Sequence, residues 1–222
     1  MTVGNKQNTK RNRFTTLSAF FNFIINTFVP QLDNPCEAPM LKKMFKRAQI
    51  IQWKILEKEV VDEIVFRTLN SRNRIMLELM ARAGMRISEV LNLTPNDVDG
   101  RKLVLRNPKS GRGGEMVYIP QRLSDRLQEY IQDKDINSDA KIFPISYPAA
   151  RIMVRNAGNV VGVHLRPHDL RRFSATYASC CGTPIEIVSK VILRHANLST
   201  TQRYLGKVSD TEAMRWIENL YG

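Results

Sequence analysis

A chain of 222 residues with 43% hydrophobic content is long enough for one good-sized domain with a real core, plus a fragment of another. Lysine and arginine number 34 against 21 acidic residues, and the formal charge of +13 points to a polyanionic partner. Nucleic acid is favoured over membrane, because no basic amphipathic anchor stands out. Cys36, Cys180 and Cys181 form neither a disulfide framework nor a CxxC zinc pair, so a reducing, cytoplasmic setting is expected.

Residues 1–13 are polar and basic and are expected to fray. From Thr15 or Thr16 onward, Leu17, Phe20, Phe21, Ile24, Ile25 and Phe28 recur at helical spacing and predict a buried apolar helix. The apolar run from Ala19 to Val29 follows Lys6, Lys10, Arg11 and Arg13, as in a signal peptide. Asn22 and Asn26 interrupt it, however, no small-x-small site follows, and nothing reaches transmembrane length. Pro30, Pro35 and Pro39 mark a linker. Lys42, Lys43, Lys46 and Arg47 come next, either as a solvated face or, modestly preferred, as a basic segment lying along a phosphate backbone.

The main domain begins near Gln52. Helices are predicted over 57–69 and 71–83, the second capped by Ser71 and stopped at Gly84, and over 86–93, where Thr94-Pro95 ends the third. Alternating strands over 102–106 and 115–119 flank a basic, glycine-rich hairpin tip carrying Lys109 and Arg112. Helices over 121–132 and 148–157 enclose a brief extended piece at 142–144, and a helix over 167–181 closes at Gly182. Thr183-Pro184-Ile185-Glu186 has the capping box and first-turn proline of another helix start. Ser209-Asp210-Thr211-Glu212 repeats that signature before a last helix with Met214, Trp216, Ile217 and Leu220. The fold class is mainly α with a small antiparallel β-sheet.

Chemistry concentrates in a few places. Arg86 opens a helix with Glu89 three residues on; the ordinary reading is a surface charge, the functional one a guanidinium held in place by Glu89. His168 and Arg171 are spaced i and i+3, on one helix face. His195 precedes Tyr204 by nine residues, with Arg194 and Arg203 beside them and a Ser-Thr-Thr helix start between. A phenol is a poor nucleophile at neutral pH, its unperturbed pKa being about 10. Clustered positive charge favours phenolate and also stabilises a phosphate under attack. Lys109 is either a solvated lysine or an ammonium delivered by a mobile tip. No acidic cluster lies near these segments, which disfavours a metal-dependent nuclease.

The segments around Ala83-Gly84-Met85-Arg86-Ile87-Ser88-Glu89, His168-Asp169-Leu170-Arg171 and His195-Ala196-Asn197-Leu198-Ser199-Thr200-Thr201-Gln202-Arg203-Tyr204 resemble the three signature boxes of the tyrosine recombinase (phage integrase) family. Order, spacing and the intervening lysine hairpin agree, and the resemblance covers about residues 52–222. It implies the tyrosine recombinase/integrase catalytic-domain fold over 48–222. Residues 1–47 then form a partial or reduced core-binding segment with a basic linker, since 15–39 resembles only the last helix of such a domain and its exit.

The resemblance further implies that Arg86, Arg171 and His195 hold one DNA phosphate while Tyr204 attacks it, forming a 3′-phosphotyrosyl link. Lys109 would protonate the leaving 5′-oxygen, His168 would assist removal of the phenol proton, and Glu89 would support the site. Lys42, Lys43, Lys46, Arg47, Arg112, Arg172 and Arg194 are DNA-binding candidates. The link conserves the phosphodiester energy, so no ATP, metal or other cofactor is expected. Implied partners are double-stranded DNA recombination sites, a homotetramer on synapsed DNA through the C-terminal helix (Trp216, Ile217), and accessory DNA-bending proteins, in the nucleoid of the cytoplasm. Arg194 departs from the family, which most often has glycine there. The rival readings are a type IB topoisomerase and a DNA-binding regulator or relic that has lost catalysis.

Overall fold

Seven successive residues of one helix, Ile75 to Ala81, are buried, so this segment is covered around its whole circumference and forms the spine of the domain. In the computed structural model, which describes residues 4–46, 55–106 and 114–202 together with Met214, Ile217 and Glu218, the chain divides into two compact units, Met1–Trp53 and Lys54–Gly222.

In the first unit, α1 spans Gln7–Thr27 and starts well before the expected Thr15. The hydroxyls of Thr15 and Thr16 donate back to the carbonyls of Arg11 and Asn12 at 3.0 Å, so they sit inside the helix and cap nothing. No residue of α1 is buried, which corrects the expectation of a buried helix: Leu17, Phe20, Phe23 and Phe28 are exposed. Asn34 ties the following turn to α1 by donating to Ser18 O at 3.1 Å and to Asn22 Oδ1 at 2.7 Å. α2 (Pro39–Met44) follows, and Phe45 stacks on Phe14 with ring centroids 4.7 Å apart.

In the second unit, α3 (Lys58–Arg67) leads into the spine helix α4 (Ser71–Arg82). Its N-cap is Asn70, whose side chain accepts from Asn73 N at 3.1 Å; Ser71, the expected cap, is the first helical residue. α5 (Ile87–Asn92) follows a tight turn. The sheet is antiparallel in the order β1 (Val98–Asp99), β2 (Lys102–Leu105) and β3 (Glu115–Tyr118), with Leu103 opposite Val117 and Leu105 opposite Glu115. Leu103, Leu105 and Val117 point into the core, whereas Met116 and Tyr118 are exposed, as period-2 alternation requires. The two-residue β1 has too short a pattern to read in sequence.

α6 (Gln121–Asp133) and α8 (Pro167–Cys180) pack on α4, and α7 (Tyr147–Asn159) packs on α3 and α5. Buried Glu78 of α4 is matched by Arg126 of α6 at 2.5 Å. The extended piece at 142–144 joins no strand; Ile142 N donates to Leu93 O at 2.9 Å, and Phe143, 0% exposed, stacks near Tyr130. The capping box expected at 183–186 does not form. Thr183 N bonds to Ala178 O at 3.0 Å as part of the α8 terminus, so α9 (Ile185–Ile187) starts later, with Pro184 as a cap that makes no side-chain bond. α9 runs straight into a π-helical turn, Val188–Ile192, and α10 (Leu198–Gln202) follows. Ser209 to Glu212 lie outside the described residues; Met214 and Ile217 are exposed. Among the described residues no helix is long and apolar enough to cross a membrane.

Truncating Phe143 should open a cavity between α6 and the core. Phe143→Ala is expected to lose about 3–5 kcal/mol in denaturant unfolding; a loss under 1 kcal/mol would show that this layer repacks freely.

Candidate active site

The turn after α4 needs glycine. Gly84 has φ +59, and a Cβ there would meet Ile192 Cγ2 and Ile192 O at 2.9 Å. That close approach seats the π turn against the turn preceding Arg86. Arg86 is the N-cap residue of α5, its side chain 24% exposed. Glu89, buried at the third helical position, accepts from Arg86 N at 2.8 Å through Oε2 and from Arg86 Nη1 at 2.5 Å through Oε1. Glu89 therefore holds the Arg86 guanidinium in place, the contact that its spacing three residues on suggested.

α8 supplies the next pair. Asp169 caps its start, accepting from Arg166 N at 3.0 Å, so His168 and Arg171 follow on one face of the helix. His168 is exposed. Arg171 is only 1% exposed, and its two terminal nitrogens donate to Gly84 O and Leu193 O. One guanidinium thus fastens the turn before Arg86 to the turn before His195. Arg172 was expected to reach DNA but is buried, and it pairs with Asp169 at 3.3 Å.

Beyond the π turn, Arg194 adopts φ +50, a left-handed conformation costing a non-glycine residue about 1 kcal/mol. Its side chain is 3% exposed, which also removes it from the expected DNA-facing set. The guanidinium pairs with Glu89 Oε2 at 2.7 Å, lies 3.7 Å from Glu115 Oε2 on β3, and donates to Ile192 O at 2.9 Å. His195 N bonds to Ser189 O at 2.9 Å, and its Nδ1 lies 2.9 Å from Thr201 Oγ1, which donates to Ser189 Oγ at 2.8 Å. The ring is thereby tied through Nδ1 to the Thr201–Ser189 hydroxyl pair.

The electrostatics show how closely these segments converge. Burial, then the charges of Arg171, Arg86, Arg194 and His168, lower the His195 pKa from 6.5 to about 4. His168 is also lowered, by the desolvation it does experience and then by Arg172, Arg171 and Arg86, with Asp169 opposing. Burial would raise the Glu89 pKa, but Arg194 and Arg86 outweigh it and keep the carboxyl below its usual range. Burial lowers Arg194, opposed by Glu89 and Glu115, though an arginine stays charged at any ordinary pH.

Lys109, Arg112, Arg47 and Tyr204 lie outside the described residues, and so does Trp216. In the first unit, Lys42, Lys43 and Lys46 are exposed, and Lys42 pairs with Glu37. Glu115, Ser189 and Thr201 were not singled out in the sequence. Thr201 carried a readable signal, a hydroxyl six residues beyond His195 in the same motif, whereas nothing marks Glu115. At the foot of the hairpin, Arg106 pairs with buried Asp97 at 2.6 Å.

Residues 54–210 match the phage integrase family model, and the chain belongs to that family, the tyrosine recombinases. It is 31% identical over 231 residues to a tyrosine recombinase of Pseudothermotoga lettingae, covering 97% of this chain and 78% of that one. Identity to the tyrosine recombinase XerA of Pyrococcus horikoshii is 32% over 161 residues, covering 68% of this chain and 56% of the relative. The chain thus spans little more than half the length of that relative. Among solved structures, the Tn1549 transposon integrase in complex with transposon right end DNA superposes with a TM-score of 0.75 at 16% identity, covering 99% and 81% of the two chains. A lambda integrase dimer bound to a COC′ core site gives 0.69 at 17% identity, covering 90% and 73%. These likenesses show a shared fold: mainly helical, with a small antiparallel sheet.

His195 makes the folded state acid-sensitive. Its folded pKa of about 4 lies below the ordinary 6.5, so the unfolded chain binds more protons between those values and stability falls as pH drops through that window. Replacing it, as in His195→Asn, should flatten the pH dependence of the unfolding midpoint between pH 6.5 and 4; an unchanged slope would remove the assignment.

Proposed function

We propose that the chain is the catalytic part of a site-specific recombinase, cleaving and rejoining double-stranded DNA through a 3′-phosphotyrosyl intermediate. The observation that carries this reading is the Arg171 guanidinium, which draws the turns bearing Arg86 and His195 together and fills the space between them with positive charge. Such a basin suits a phosphodiester, whose charge grows as the pentacoordinate transition state forms.

Arg86, partly exposed and steadied by Glu89, is the side chain best placed to fork onto a non-bridging oxygen. Arg171 acts from within; to fork directly it must exchange a carbonyl for the phosphate. His195 is neutral at pH 7 among these cations, and an arriving phosphate raises its pKa, so the imidazole takes up a proton and donates a hydrogen bond to the same phosphate. Tyr204 is the nucleophile of this scheme, with its phenol proton leaving by way of His168, whose lowered pKa keeps it a neutral acceptor. Lys109 protonates the 5′-oxygen as it departs. The phosphotyrosine conserves the bond energy, so religation needs no ATP, and fixed cations do the work that a metal does elsewhere.

In this reading residues 48–222 form the catalytic domain and 1–47 a reduced core-binding segment whose Lys42, Lys43, Lys46 and Arg47 lie along the backbone of the duplex. Two paired sites held by a homotetramer, through the segment with Trp216 and Ile217, complete the exchange, with accessory DNA-bending proteins where the site demands them. The enzyme then works on DNA in the nucleoid.

The test is covalent trapping on nicked suicide duplexes selected from a randomised pool. Tyr204→Phe should lose at least about a thousand-fold in adduct while its Kd stays within about three-fold; equal trapping by the variant discards the nucleophile. Relaxation of supercoiled plasmid without recombinant products would favour a type IB topoisomerase instead. Lys109→Ala should slow cleavage by about 10²–10⁴-fold, and a 5′-bridging sulfur, which leaves without a proton, should restore it to within about ten-fold. Absence of rescue removes the acid role.

A further inference from the structure

We infer that Arg194 is a positioning residue that balances the charge of Glu89, so that Arg86 keeps its own charge for the scissile phosphate; the inference rests on the recombinase reading above. The backbone at this position favours glycine, since φ is +50, and yet a long charged side chain is present and turned inward. What it touches explains why. Its guanidinium reaches α5 through Glu89 at 2.7 Å, β3 through Glu115 at 3.7 Å, and the π turn through the carbonyls of Ile192 at 2.9 Å and Val191 at 3.5 Å. The residues on either side of it belong to the same assembly, Leu193 accepting from Arg171 and His195 bonding to Ser189.

Charge counting gives the role its content. Glu89 divides its oxygens between Arg86, at 2.5 and 2.8 Å, and Arg194. With Arg194 removed, the buried Glu89 carboxylate would lose one of its two guanidinium partners. Glu89 would then hold Arg86 as its sole guanidinium partner and draw it away from an incoming anion. With Arg194 in place Glu89 is shared between two guanidiniums, of which Arg86 is the more exposed, 24% against 3%. Arg194 itself is too buried to meet DNA, so its contribution passes through Glu89 and Arg86.

Single-turnover cleavage of a suicide duplex tests this, with DNA affinity and thermal unfolding measured in parallel. Arg194→Gly relieves the backbone but takes one guanidinium from buried Glu89, so its unfolding midpoint should fall, and cleavage is compared at a temperature where both proteins stay folded. Its cleavage rate should nevertheless fall about 10–100-fold with Kd within about three-fold. Arg194→Met, which keeps the buried bulk without the charge, should show the same loss. Glu89→Gln placed on top of Arg194→Gly removes the unbalanced carboxylate while still accepting from Arg86 N, and should recover the rate to within about three-fold. A parental rate in both single variants, or no recovery in the double variant, overturns the inference. If the parent itself forms no adduct on any trapped duplex, it is the recombinase reading that fails.

Discussion

A guanidinium with 1% of its surface exposed holds two peptide carbonyls, Gly84 O and Leu193 O, that are separated by 109 positions in the chain. Burying a full charge is costly unless every strong partner is in place. Two charge-assisted bonds to backbone offset much of that cost, and backbone acceptors cannot rotate away as side chains do. The turn before Arg86 and the turn before His195 are therefore locked in one relative position by a bond that neither contains. Gly84 makes this geometry reachable by letting Ile192 come within van der Waals distance of the chain, and the buried stretch Ile75 to Ala81 of α4 gives the turn its base.

Around that tie the polar groups form a layered arrangement. Glu89 steadies Arg86 from behind, Arg194 steadies Glu89, and the Ser189–Thr201 hydroxyl chain orients the His195 ring. Burial first, and then this concentration of cations, lowers the proton affinity of both histidines. In the recombinase reading, the field that would attract a phosphate also makes the imidazole's protonation depend on that anion.

Much of this was legible from residue order. Long periodic segments such as those of α4, α6 and α8 announced themselves, as did the glycine stops at Gly84 and Gly182, both of which have positive φ. The pairing of Arg86 with Glu89 was readable because it is local, three residues along one helix. What sequence could not show was the direction taken by long side chains. Arg172 and Arg194 look like surface charge, and only the fold reveals that each meets a carboxylate inside. Helix starts were misread where several polar residues compete, as with Asn70 against Ser71 and with the threonines that sit within α1. Glu115 joins the cluster through a strand register, which no local pattern encodes.

The π turn at Val188–Ile192 has a consequence for how this scaffold tolerates change. A wide turn holds one residue more than an α-helical turn of the same rise, and each residue in a helix advances the chain by about 100°. Losing a residue from this stretch would leave a regular helix, yet everything downstream would be swung through more than a quarter of a revolution, carrying the imidazole off its hydroxyl support. Spacing there is a rotational setting for the face that bears His195, while Ser189 within the same turn supplies the hydroxyl that the Thr201 chain ends on.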